Sequence, residues 1–266
     1  MKKQTALLTT NNAKTIKGEK LGYLTYIMYM APHKQNSLGK NLCSHASEGC
    51  AKSCLFGSGY GGMFTSVNQG RINRTEFFLS NPVEFMSQIK DEITKALKKN
   101  ADKAIVTVRL NGTSDIPFEN LRLFEGKKNI FEMFPNVQFY DYTKNYTRFD
   151  KELPSNYHLT FSRSEDNHKI AMNLLKRGIN VAMVFDKLPK TYEGYEVINA
   201  DLDDLRFLDK KGVICGLKYK KMTGKGADNN LAFESGFAIR TLSIEDQIKK
   251  AYKKVPSNKK VKEFAI

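Results

Sequence analysis

The chain lacks any apolar run near the roughly 18 residues that a membrane-spanning helix needs. Its best candidate, residues 23–31, is too short, and the charged residues before it do not form a secretory leader. Cysteine is scarce, at four in 266 residues. With no export signal, the expected compartment is a reducing cytoplasm, where thiols stay available as ligands. No internal repeat or low-complexity linker divides the chain, and its length suits one large α/β domain or two small ones. Acid is also short: 28 Asp+Glu stand against 43 Lys+Arg, a net charge of +15. The excess gathers at 14–20, 95–103, 218–225 and 249–262. Such clustering points to a polyanionic partner, with nucleic acid the expected one, although lysine enrichment also serves solubility.

What is present is concentrated. Three of the four cysteines, Cys43, Cys50 and Cys54, fall in one short run, separated by six and then three residues. Glycines 49, 57, 59, 61 and 62 surround them, and glycine-rich backbone can wrap a metal centre without strain. Thiolates select zinc, iron–sulfur clusters or copper(I). A disulfide or plain buried thiols would also account for the run. The spacing is not that of a zinc ribbon, which shows two short pairs far apart.

Residues 1–60 read as a polar, extended and loop-rich segment ending in the cysteine loop. Residues 64–100 read as helical. Pro82 suits a first helical turn, and Phe85, Ile89, Ile93 and Leu97 recur at spacing four on one face. Beyond that, short apolar runs predict strands over 104–110, 137–142, 158–161, 181–185, 195–198 and 212–217. Helix-compatible stretches at 116–134, 165–177 and 200–208 separate several of them. The expected fold is therefore α/β, a partial or open (βα) barrel of mostly parallel strands, preceded by a loop-rich segment carrying a cysteine metal site. The expected divisions are 1–63, 64–240 and a basic tail at 241–266.

Polar residues concentrate at the carboxyl ends of these strands, where α/β folds place chemistry. The first strand runs into Asn111, Gly112, Thr113, Ser114 and Asp115. The second ends in Asp141 and Lys144, the third in Ser162, Ser164 and Glu165, and the sixth carries Cys215, Lys218 and Lys220. Several have a plainer reading as helix caps, Asp166 and Asn167 foremost, with Ser114 and Asp115 also able to cap. Repetition at one end favours a convergent pocket.

Those residues carry a resemblance. The run through Cys54-Leu55, then Gln69–Glu76, Arg109–Ile116, Phe139–Lys144, Leu159–Glu165, Asp204–Asp209 and Gly212–Lys218 resemble a phage and plasmid family, the mycobacteriophage "gene eighty-eight" type. The resemblance brings membership and a cytoplasmic setting in an infected host, but no activity. More distantly the layout is similar to phage proteins of a radical S-adenosylmethionine-like type. That likeness implies an iron–sulfur cluster on Cys43, Cys50 and Cys54. It also implies S-adenosylmethionine against Asn111, Gly112, Thr113 and Ser114, with its ribose at Ser162 or Ser164. The usual ligand spacing is three then two residues, from which this chain departs.

Three functions follow as expectations. The first is a nucleic-acid-modifying enzyme with a thiolate metal centre, with Asp115, Asp141, Lys144 and Glu165 as catalytic candidates and Arg71, Arg74, Lys218 and Lys220 as nucleic-acid contacts. The second is a base-exchange transglycosylase with structural zinc, Asp115 or Asp141 attacking the sugar and Cys215, His45 or His33 as fourth ligand. The third is a non-catalytic single-strand binder using exposed Tyr140, Tyr142 and Tyr146.

Overall fold

The computed structural model describes residues 6–10, 13–54, 64–222 and 228–241. The glycine run at 57–62 and the basic tail from 242 lie outside the described residues. Helix α1 spans Ala13–Glu19 and α2 Glu48–Lys52. Two long helices follow, α3 (Thr65–Ser80) and α4 (Pro82–Asn100). They break at Asn81 because Pro82 opens the second at its first turn, where a missing N–H costs nothing. Phe85, Ile89 and Ile93 are fully buried, as their spacing predicts. Burial of each contributes about 1.5–3 kcal/mol relative to exposure.

The sheet is open and mostly parallel. Its strands are β1 (Leu8–Thr9), β2 (Tyr23–Met28), β3 (Ile105–Arg109), β4 (Gln138–Thr143), β5 (Tyr157–Ser162), β6 (Val181–Phe185), β7 (Thr191–Tyr192), β8 (Tyr195–Asn199), β9 (Ile214–Lys218) and β10 (Ala238–Ile239). Strands β2 to β6, then β9 and β8, lie side by side in parallel; β1 and β7 add antiparallel edges. All six expected strands form. Residues 1–60 are expected to be extended and loop-rich, yet β2 pairs with β3 along five residues. Residues on both sides of position 63 therefore build one sheet. Strand β10 runs parallel to β6 at Val184 and Phe185, beyond the point where β5 leaves β6 at Ala182.

Two expected helices are corrected. Residues 116–134 form 3-10 turns at Phe118–Asn120 and Glu125–Lys127, then a short helix α5 (Ile130–Met133). Gly126 takes a positive φ of 69°, and Asn129 and Glu132 cap α5 reciprocally, so the chain restarts there instead of continuing. Residues 200–208 form a loop with one 3-10 turn, Arg206–Leu208. The expected helix at 165–177 is present as a 3-10 turn, Glu165–Asn167, leading into α6 (His168–Lys176).

The two sheet faces differ in chemistry. One carries Val108, Phe139, Leu159, Phe161, Met183 and Phe185 into two apolar clusters with α4 and α6. The other is lined by Thr25, Thr107, Tyr140, Tyr142 and Cys215. Thr25 Oγ1 meets Thr107 Oγ1 and the Tyr140 hydroxyl, each at 2.8 Å. Arg109 pairs there with Asp204, whose other oxygen accepts the Tyr142 hydroxyl at 3.1 Å. This corrects the expectation of exposed aromatics. Tyr140 is buried and Tyr142 mostly so, because both point into that polar layer; only Tyr146 is exposed.

No helix among the described residues is long and apolar enough to cross a membrane.

Candidate functional site at the carboxyl ends of the strands

The turn after β3 is built around Asn111. Its Oδ1 accepts from Ile116 N at 2.9 Å and from Ser114 Oγ at 2.8 Å, while its Nδ2 donates to Ile116 O at 2.9 Å. Gly112 passes so close to the end of β2 that a Cβ there would stand 2.5 Å from Met28 O and 2.8 Å from the Tyr29 ring. Thr113 Oγ1 donates to Met30 O at 2.5 Å. Asp115 Oδ1 accepts from Arg148 at 3.2 Å, and Oδ2 accepts from Lys144 N at 2.8 Å. Neither Ser114 nor Asp115 caps a helix, since the turn that follows starts at Pro117 without a side-chain cap.

Asp141 is set deeper than Asp115. It is buried beneath the turn, accepting from Asn111 N at 2.9 Å, Leu110 N at 3.3 Å and the Tyr157 hydroxyl at 3.1 Å. Burial pushes its carboxyl up to about 6, against the pull of Arg109 and those donors. Lys144, at the end of β4, reaches Ser162 Oγ at the end of β5, 2.6 Å away. The Phe237 ring lies 5.7 Å from the same ammonium. Ser164 N donates to Asn167 Oδ1 at 2.7 Å, so Ser164 starts the next turn and Asn167 closes it.

The cysteine loop lies against these ends. Cys43 Sγ is 3.8 Å from Thr113 O. Cys50 sits on α2, whose N-cap Ser47 accepts from Cys50 N at 3.2 Å. Glu165 Oε1 accepts from Gly49 N at 2.6 Å and fixes α2 to the end of β5; a Cβ on Gly49 would stand 2.5 Å from that oxygen. Burial pushes the Cys43 thiol up to about 12, and the charges of Cys54, Asp115 and Cys50 add to the rise. The three loop cysteines and Asp115 thus share one electrostatic neighbourhood. Among the described residues, however, no group of three Cys, His, Asp or Glu side chains stands in metal-holding geometry.

The remaining candidates lie elsewhere or point differently. Cys215 is on the polar sheet face near the start of β9, 3.5 Å from Asp209 Oδ2, with its thiol pushed up to about 12 by burial. Arg71 is buried, its guanidinium 5.4 Å from the Tyr29 ring centroid and close enough to feel the charge of Cys54. Arg74 Nε donates to Tyr29 O at 2.8 Å. Both arginines tie α3 to the chain leaving β2. Lys218 and Lys220 are exposed at the end of β9.

Several residues at the strand ends were not among the site candidates read from the sequence. Arg148 closes on Asp115 and Glu119. Arg163 donates to the carbonyls of Gly236 and Phe237, holding the 228–241 segment over the ends of β5 and β6. That segment brings α7 (Leu231–Glu234) onto α2 and Phe237 beside Lys144. A phenylalanine so far along the chain has no local pattern to announce it; only the splay of β5 from β6 makes room for β10.

These features define an α/β protein with an open, mostly parallel sheet and a polar mouth, flanked by a cysteine-bearing helix, at the strand carboxyl ends. The chain belongs to the Gene product 88 family, whose model matches residues 6–240. No curated protein and no solved structure matches it.

Proposed function

We propose that this phage-type protein is a nucleic-acid-modifying enzyme working at that mouth, with Cys43, Cys50 and Cys54 as the ligands of a thiolate metal centre. One observation carries the reading. The cysteine helix is clamped to the strand ends by Glu165 and Gly49, so Cys43, which feels the charge of Asp115, lies at the same end of the sheet as the Lys144–Ser162 pair. The donor set is chemically right for a soft metal. The described geometry does not gather it, so loading requires the loop to close around the ion and the Cys43 thiol to release its proton. An iron–sulfur cluster there would supply one-electron chemistry of the kind the S-adenosylmethionine likeness implies; a zinc would organise the loop.

The partial-barrel form of the fold is part of this reading. Lys17 Nζ, on α1, donates to Asp201 O at 2.7 Å, and the Tyr23 ring of β2 meets Phe207 at 5.5 Å, linking α1 and the first parallel strand to the segment after β8. The rival readings have less support. Asp141 is spent on backbone donors, which disfavours it as a nucleophile in base exchange. The buried Tyr140 gives a single strand no stacking surface.

Anaerobic purification followed by elemental analysis tests the proposal. Iron with visible absorbance, lost alike in Cys43→Ser, Cys50→Ser and Cys54→Ser, supports it. Full metal retention in two of the three single variants, or no metal in the native protein, sinks the centre.

A further inference from the structure

Among the described residues, no carboxylate pairs with the charge of Lys144. The contacts of its ammonium are Ser162 Oγ at 2.6 Å and the face of Phe237. Asp141, the nearest acid in sequence, accepts instead from Leu110 N, Asn111 N and the Tyr157 hydroxyl. Asp115 gives one oxygen to Arg148 and the other to the backbone N–H of Lys144, and Glu165 gives an oxygen to Gly49 N. An ammonium has three donors, of which Ser162 takes one. Having accepted from Lys144, the Ser162 hydroxyl keeps its own O–H to donate. Both groups are half-buried, where a charge is screened less than at the open surface.

We infer that Lys144 and Ser162 form an oxyanion-holding subsite, taking a phosphate or carboxylate oxygen of the molecule that occupies the mouth. This rests on the reading of the mouth as the working site but not on the metal. An ammonium is a compact point charge that suits a single anionic oxygen, while the planar arginine fork suits two. The arginines here are already committed: Arg148 to Asp115 and Glu119, Arg163 to main-chain carbonyls. Phe237 closes one side of the subsite and limits the water competing for the ammonium.

The test uses the full chain and two probes, inorganic phosphate and acetate, which separate the two oxyanion classes. Lysine acetylation is followed residue by residue by mass spectrometry as each probe is titrated. Saturable protection of Lys144 by one probe, with Lys218 and Lys220 unchanged, is the expected result. In Ser162→Ala the half-protecting concentration should rise roughly tenfold, the cost of losing one hydrogen bond to a charged group. If Lys144 resists acetylation in the free protein, the phosphorus linewidth of phosphate decides instead, with broadening expected in the native chain and absent in Lys144→Met. Equal protection of all three lysines, no protection by either probe, or broadening that survives Lys144→Met overturns the subsite. Metal content measured on the same samples judges the thiolate centre separately: a metal-free chain that still protects Lys144 loses the centre and keeps the subsite.

Discussion

Asp115 and Arg148 form a mostly buried ion pair, Nη1 to Oδ1 at 3.2 Å, at the point where the turn after β3 meets the end of β4. Arg148 also holds Glu119, at 2.7 Å. Asp115→Asn therefore does more than remove a pocket charge. It should lower stability by about 1–2 kcal/mol, less than for a lone buried pair because Glu119 still neutralises the arginine. Chemical denaturation of the variant checks this. An unchanged midpoint would mean that the pair contributes nothing to the fold.

Gly112→Ala separates packing from ligand contact at the same turn. The new methyl would meet Met28 O, a backbone atom that cannot swing aside. Overpacking of that kind costs about 1–3 kcal/mol, so the melting temperature should drop even with no ligand present. A variant as stable as the native chain would leave ligand approach as the reason for glycine there.

His158 provides a pH signature. Burial, with Arg206 and Lys211 adding repulsion, lowers its imidazolium from the ordinary 6.5 to about 4. Between those values the unfolded chain takes up a proton that the folded chain refuses, so this group costs stability progressively as pH falls from about 6.5 to about 4. Above that window it has no effect. His158→Gln should lose less stability than the native chain between pH 7.5 and pH 4.5, by up to about 2 kcal/mol after allowance for partial exposure. Parallel acid titrations of both proteins, read by urea unfolding, would show no difference if the imidazole were solvated.

Cys43 should be slow towards alkylation in metal-free protein. A thiol pushed up to about 12 by burial holds little thiolate at pH 8, and the thiolate is the nucleophile. Iodoacetamide labelling followed by peptide mass spectrometry should give a rate for Cys43 at least about tenfold below that of free cysteine. Labelling at the free-cysteine rate would place the thiol in solvent and remove the pH dependence expected of metal loading.

Nucleic-acid affinity, if carried by the +15 charge, should fall linearly on a logarithmic scale as salt rises. Because Arg71 is buried against Tyr29, Arg71→Ala should cost stability. Lys218→Ala, at an exposed strand end, should reduce the salt slope by about one unit. Filter binding of single-stranded DNA and RNA between 50 and 200 mM salt measures this range; a flat response removes nucleic acid as partner.

Much of the architecture was legible locally. Short apolar runs between polar turns specify strands buried on both faces, and the spacing of Phe85, Ile89 and Ile93 specifies the buried side of α4. The expected helix at 116–134 failed for a local reason too: Pro117, Gly126 and the Asn129 cap restart the chain three times, and apolar content masked them. Strand β2 was missed although residues 23–31 are largely apolar, because it lies inside a polar, loop-rich segment and its burial depends on pairing with β1 and with the distant β3.

The site divides in the same way. Residue order alone determined that acid, hydroxyl and lysine groups fall just after successive strands, because parallel strands all end on one side of a sheet. It also determined that three thiols share one loop. Which way each side chain turns was decided only by tertiary packing. Asp115 and Asp141 look equivalent in sequence, yet one is partly exposed and pairs with Arg148 while the other is fully buried under main-chain donors. Cys215 ends on the polar face beside Asp209, away from its sequence counterparts. Glu165 finds Gly49, and Lys144 finds Ser162 and Phe237, across separations that no local pattern encodes. Strand periodicity fixes the end of the sheet a residue occupies; alternation, splay and the close approach of backbones decide what it touches there.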